Sequence, residues 1–392
     1  MKINLLILLV AVSIQLHAQP IQGVVLDANT QRPIPNASVY INNTTIGTSS
    51  DAEGVFSLQG FPTPPYNLVV SAIGYETHIS EITEIMEGRT IAILLKPRVF
   101  ELPEFVVQIP VRDGWRRYGN RFFEAIIGYS NFAGQCRIVN PEVLSFFYDS
   151  NISELRVYAE EPLIIMNNAL GYRVTYWLTH FVLNRGFLSY QGTVQFEDLI
   201  TDRTRRRVAR RWQENRFSAY NGSIQHFITA LYHNRTAEEG FEVIQERQMV
   251  DVIAEVLSHR DRSIPPPTQE ELDALCFDTI NPYTLVQVTP DGKKIFAFQN
   301  ELQIIYKNEV PDLAYVIRHG RTSFTDENTL RIERNVLTVQ GPQRSSIFLL
   351  GVDQITISPN GNFEPLNGIL QEGYWAFEKL DKLVPLDYKK VE

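Results

Sequence analysis

From Ile21 onward, apolar and polar positions alternate in short runs broken at close intervals by turn residues. Ile21 to Val25, Ala37 to Ile41, Val55 to Leu58 and Tyr66 to Val70 carry the period of two that a half-buried strand requires. Gly47, Gly54 and Gly74 stand where the chain must reverse. The spacing predicts a small antiparallel sandwich over 19–97, closed by a strand from Thr90 to Leu95. A connector over 98–114 follows, stiffened by Pro103 and Pro110, in which Glu104 to Gln108 alternates like a short edge strand. From Trp115 the period changes. Trp115, Tyr118, Phe122, Phe123, Ile126 and Ile127 form one helical stripe.

Strands then dominate. Val143 to Tyr148 and Leu155 to Ala159 are joined by Asp149-Ser150-Asn151, and Asn184-Arg185-Gly186 turns the strand around Tyr172 to Leu178 into Phe187 to Phe196. A helical pattern from Arg206 to Asn234 is interrupted at Asn221-Gly222, which ends one helix and starts another. Ile264-Pro265-Pro266-Pro267 places a sub-boundary near 260–270. Pro290-Asp291-Gly292 predicts a hairpin between Leu285 to Val288 and Ile295 to Phe298. Leu302 to Tyr306, Leu330 to Ile332 and Ile355 to Ile357 read as further strands, and Tyr374 to Leu383 as a closing amphipathic helix. The expected architecture is mainly β, of α+β class: an N-terminal β-sandwich, then a β-rich α+β region over 115–392.

The start of the chain changes the picture. Lys2, an apolar run from Leu5 to Ile14 and Leu16-His17-Ala18 read as a secretory signal peptide over 1–18. That run is shorter than the ~20 residues a membrane helix needs, and no later segment supplies a transmembrane helix. The expected location is therefore outside the cytoplasm: the periplasm, or the outer membrane and cell surface. A net charge of −9 argues against nucleic acid as a partner.

The residues Gly23, Asp27, Thr30, Pro33, Ala37, Val39, Thr45, Gly47, Thr48, Asp51, Gly54, Phe56, Tyr66, Leu68, Gly74 and Tyr75 stand in register with one known module. In them the N-terminal stretch closely resembles the carboxypeptidase-regulatory-like domain, a transthyretin-like β-sandwich of bacterial cell-envelope proteins. The resemblance implies an accessory that assists folding or docks partners and carries no catalytic residues. The remainder is similar to the uncharacterised C-terminal part of secreted Bacteroidetes proteins, through Phe122 to Gly128, Cys136 to Pro141, Pro162 to Ile165, Ala169 to Tyr172 and Trp212 to Phe227. That second likeness implies a shared architecture and no activity.

Candidate chemistry is sparse. His78-Ile79-Ser80-Glu81 has an H-x-x-E spacing with His180 downstream, but residues three apart on a strand point to opposite faces and cannot share a metal. His226 and His233 lie two turns apart on a predicted helix, too far to share an ion, so His226 is expected in the core. The acid pairs Glu160-Glu161, Glu197-Asp198 and Glu238-Glu239 have the composition of a glycosidase-type pair or of solvated turns. Cys136 and Cys276 are candidates for a disulfide in an exported chain or for two small buried hydrophobes. Tyr176, Trp177, Phe181, Phe187 and Tyr190 suit either a sugar platform or a cross-strand core.

Against this acidic background Arg203, Arg205, Arg206, Arg207, Arg210 and Arg211 stand together. They are candidates for contact with an anionic partner, or a charged helix start whose stems cover apolar surface while Asp202 and Glu214 neutralise part of it. No motif demands a cofactor. The expected role is a non-catalytic envelope protein that binds or docks an envelope protein or an extracellular glycan. The alternatives are a hydrolase on peptides or glycans with a dispersed site, and an assembly factor for an outer-membrane machine.

Overall fold

A computed structural model describes residues 20–60, 62, 64–83, 90–98, 110–185, 187–246, 268, 277–319, 330–333 and 336–390. The N-terminal unit has strands β1 (Ile21–Asp27), β2 (Ser38–Ile41), β3 (Gly47–Ser49), β4 (Val55–Leu58), β5 (Tyr66–Ser71), β6 (His78–Ile82) and β7 (Thr90–Leu95). They form two sheets of order β4-β1-β7 and β3-β2-β5-β6. Inward positions of both sheets meet around Ile21, Val25, Val39, Phe56, Leu68 and Leu95, as the alternation predicts. The expected sandwich is present, with one pairing the sequence did not show: β7 runs parallel to β1.

All six residues of β5 are buried, so the two-residue alternation fails there. Tyr66, Leu68 and Val70 fill the sandwich, while Asn67, Val69 and Ser71 face the other way and are covered too. The cover comes from both later units, Glu364 of the third closing over Asn67. The second unit holds α1 (Gly114–Ile126) and a sheet of β8 (Cys136–Ile138), β9 (Leu144–Asp149), β10 (Glu154–Ala159), β11 (Leu163–Asn167), β12 (Tyr172–Leu183) and β13 (Leu188–Asp198). The order is β8-β11-β12-β10-β9 with β13 alongside β12. The stripe on α1 buries Phe122 and Ile126 against Phe146, Leu155, Ile165 and Val174. The Arg206–Asn234 pattern resolves into α2 (Arg206–Tyr220) and α3 (Ile224–Tyr232), broken where predicted at Gly222 with φ 75°.

The third unit contains β14 (Phe241–Glu246), β15 (Phe277–Ile280), β16 (Val286–Val288), β17 (Lys294–Phe296), β18 (Leu302–Tyr306), α4 (Leu313–His319), β19 (Leu330–Glu333) and β20 (Val336–Val339). After them come β21 (Gln343–Leu349), β22 (Ile355–Ile357), β23 (Phe363–Glu364), β24 (Ile369–Gly373) and α5 (Tyr374–Phe377). A five-stranded sheet β15-β14-β18-β21-β24 and a four-stranded sheet β16-β17-β22-β23 enclose a core with Phe227, Phe241, Phe296, Ile347 and Trp375. The sub-boundary predicted near 260–270 falls outside the described residues, apart from Thr268.

The closing helix predicted over Tyr374 to Leu383 is corrected to the single turn of α5. Tyr374, Trp375 and Phe377 are all buried, so there is no solvent face for an amphipathic helix to keep. The chain beyond is drawn out instead. Asp381 N–H donates to Ile127 O at 2.9 Å and Leu380 N–H to Ile126 O at 3.3 Å, satisfying carbonyls left free at the end of α1. Leu386 N–H then reaches Asn43 O at 2.7 Å, and the Asp387 carboxylate accepts from Thr45 N–H at 2.9 Å and from the Thr45 hydroxyl. This terminal strap ties the sandwich to both later units.

Candidate functional site

The sandwich is locked to the second unit by its β2–β3 turn. Asn43 N–H donates to Val194 O at 2.8 Å, Val194 N–H to Asn42 Oδ1 at 2.9 Å, and Phe196 N–H to Thr44 O at 2.9 Å. Tyr40, fully buried, shares a 2.6 Å hydroxyl bond with Thr193 and stacks on Trp177 at 4.7 Å between centroids. Each net hydrogen bond of this kind contributes about 0.5–1.5 kcal/mol, and burial of the Tyr40 ring adds a comparable or larger apolar gain. The module predicted to stand on a stiff connector is thus held flush against β12 and β13.

Two surface features follow. The first is a groove of about 230 Å³ where the β5–β6 turn of the sandwich meets the β10–β11 turn of the second unit. Beside it β10 pairs with β12 at Leu155 and Arg156. Gly74, at φ 84°, turns the sandwich chain at its lip. Arg98 crosses between the units, its backbone N–H donating to Gly74 O at 2.8 Å and its guanidinium to Ala159 O at 3.3 Å. Trp177, Glu160 and Glu161 face the groove from the second unit and Tyr75 and Glu76 from the sandwich.

The second is the arginine cluster. Arg203, Arg205, Arg206, Arg207, Arg210 and Arg211 are all exposed around the start of α2. Among the described residues only Arg210 has an acid partner, Glu214 at 2.8 Å, and Asp202 pairs with none of them. The first turn of α2 contains no acidic residue and Arg205 makes no side-chain cap, so these charges oppose the helix dipole. Sequence treats a seventh arginine like its neighbours, yet helical phase turns Arg216 inward. Its guanidinium donates to Leu170 O at 2.7 Å, Gly171 O at 2.9 Å and both Asp198 carboxylate oxygens.

The other candidates are resolved by geometry. Asp198 is taken by Arg216, Glu197 by Arg173, and Glu239 by His226, Arg235 and Lys390, which leaves Glu160-Glu161 as the predicted acid pair facing a cavity. His226 is buried as expected, accepting from Gly222 N–H at 3.1 Å, and burial lowers its pKa to about 4. His78 bonds Ser80 at 2.7 Å, and His180 lines a separate depression beside Arg156. Among the described residues no three His, Cys, Asp or Glu side chains converge as metal ligands. Of the aromatic hairpin, Tyr176 and Phe181 are core and Phe187 is exposed. Burial pushes the Cys136 thiol up to about 12, while Cys276 lies outside the described residues.

Two buried carboxyls and one largely shielded one had no sequence signal. Burial pushes Glu364 and Glu378 up to about 7 and Asp381 up to about 6. Glu378 is paired with Lys382, whose ammonium also donates to the Tyr374 hydroxyl at 2.8 Å. Glu364 sits in the seam under β5, accepting from the Asn67 and Asn362 side chains.

Residues 21–107 match the family model of the CarboxypepD_reg-like domain. The match runs past Leu95, the end of the last described sandwich strand, into the connector. No curated protein matches the chain. Among solved structures, a protein of unknown function from Bacteroides fragilis NCTC 9343 is similar at 14% identity, over 42% of this chain and 65% of that one, with a TM-score of 0.16. A 9R-lipoxygenase from Cyanothece PCC8801 is similar at 12% identity, over 57% of this chain and 48% of its own, with a TM-score of 0.18. This chain spans less than two thirds of the length of either, and superposition that poor carries no argument about fold or function.

Proposed function

We propose that this is an exported cell-envelope protein that docks onto an anion-bearing envelope component and performs no chemistry of its own. The arginine cluster carries the reading: among the described residues, five of its six guanidinium groups have no acid partner. Such an arrangement opposes the helix dipole, while guanidinium forks suit phosphate or carboxylate oxyanions. The sandwich supports it as a rigid part of the docking body, since its buried contacts hold it in one orientation.

The test is cross-linking and affinity recovery of tagged protein from intact cells, with the partner identified by mass spectrometry. A partner recovered with the native protein and lost with the R205Q/R206Q/R207Q variant is the expected result, with recovery falling as salt rises. Equal recovery by the variant refutes the contact. An N-terminus at Gln19 on the exported protein checks removal of the leader.

A further inference from the structure

The groove between the sandwich and the second unit has no role in that reading. We infer that it is a binding site for one amine-bearing sugar ring, a hexosamine unit of a glycan.

Its geometry is fixed by the fold. One wall belongs to the sandwich and one to the second unit, and both are held by the Asn42–Thr45 turn, the Tyr40–Trp177 stack and the Arg98 bridge. Ligand sites favour such junctions, and a preformed one spares the ligand the cost of ordering it. At about 230 Å³ it lies below the ~300 Å³ at which drug-sized sites begin, which matches a single ring better than an extended chain.

The lining selects the chemistry. Glu76, Glu160 and Glu161 bring three carboxylates against the one guanidinium of Arg98, so the local balance is negative and an anionic ligand is repelled. Carboxylates accept two hydrogen bonds readily and bind ammonium and vicinal hydroxyl groups well. Trp177 and the exposed Ile73 and Ile79 supply apolar surface for the C–H face of a pyranose. Among the described residues none of the three carboxylates is engaged in an ion pair, although Glu197, Asp198 and Glu239 elsewhere are. The acids alone would be a solvated turn. Their place with an indole in the lining of one cavity between two units is what makes a site.

The experiment is titration of the full mature chain, followed by calorimetry and by amide shifts, with a glucosamine oligosaccharide, its N-acetylated counterpart and a neutral glucose oligomer. The expected result is saturable binding of the free-amine oligomer and binding at least about tenfold weaker of the other two, the scale of one lost charge-assisted bond. E160Q/E161Q is expected to weaken binding by a similar factor, and R205Q/R206Q/R207Q to leave it unchanged, which separates this site from the docking surface. Both acids are exposed, so unaltered melting of E160Q/E161Q is the folding control. No saturable binding overturns the inference. So does binding indifferent to the amine or to E160Q/E161Q.

Discussion

Replacing Glu364 by Gln removes one charge from the seam under the sandwich while keeping the side chain's shape. Glu364 is 6% exposed, and its carboxylate accepts from Asn67 on β5 and, at 3.3 Å, from Asn362. Burial is the main cause that moves its pKa from 4.5 to about 7, with Glu81 on β6 adding to it. A raised acid holds its proton in the folded state while the unfolded chain has lost it. The stability that this one group contributes is therefore highest below pH 4.5 and declines until the folded pKa near 7 is passed. The difference between the two pKa values corresponds to about 3 kcal/mol. Urea unfolding of native protein and E364Q at pH 4.5 and pH 8 measures it. E364Q should be more stable by about 2–3 kcal/mol at pH 8 and nearly equal at pH 4.5. Glu378 and Asp381 shift in the same direction and steepen the native pH slope, but they are common to both chains, so the difference isolates Glu364. A pH slope identical in both proteins, or E364Q weaker at pH 8, refutes the reasoning.

Arg216→Ala leaves Asp198 and the Leu170 and Gly171 carbonyls without their shared donor, and should cost about 3–5 kcal/mol in urea unfolding. The R205Q/R206Q/R207Q variant should be as stable as the native chain or up to about 1 kcal/mol more stable, because it relieves positive charge at a helix start. A clear loss of stability there would make the cluster structural and remove the reason for a docking role.

Much of the fold was legible because its causes are local. Alternation and turn glycines suffice for the sandwich strands, the apolar stripe for α1, and Asn221-Gly222 for the break between α2 and α3. His226 was legible as a core residue, since a lone histidine amid Phe227, Ile228 and Leu231 on one helix has nothing to ligate with. The groove was not legible. Trp177 and Glu160-Glu161 lie apart in the sequence, Tyr75 belongs to the sandwich and Arg98 to the connector.

What the sequence determined by itself is the existence and class of each element, because period, propensity and turn chemistry act over a few residues. What the tertiary structure decided is which surplus faces meet. Tyr40 looks like an ordinary outward strand position until Trp177 on β12 and Thr193 on β13 cover it. Arg216 looks like its six neighbours until Asp198 and two carbonyls claim it. Tyr374 to Leu383 looks helical until the free carbonyls at the end of α1 draw its second half out. Each of these outcomes depends on partners more than a hundred positions away or on another element's register, and only closure of the whole chain places them.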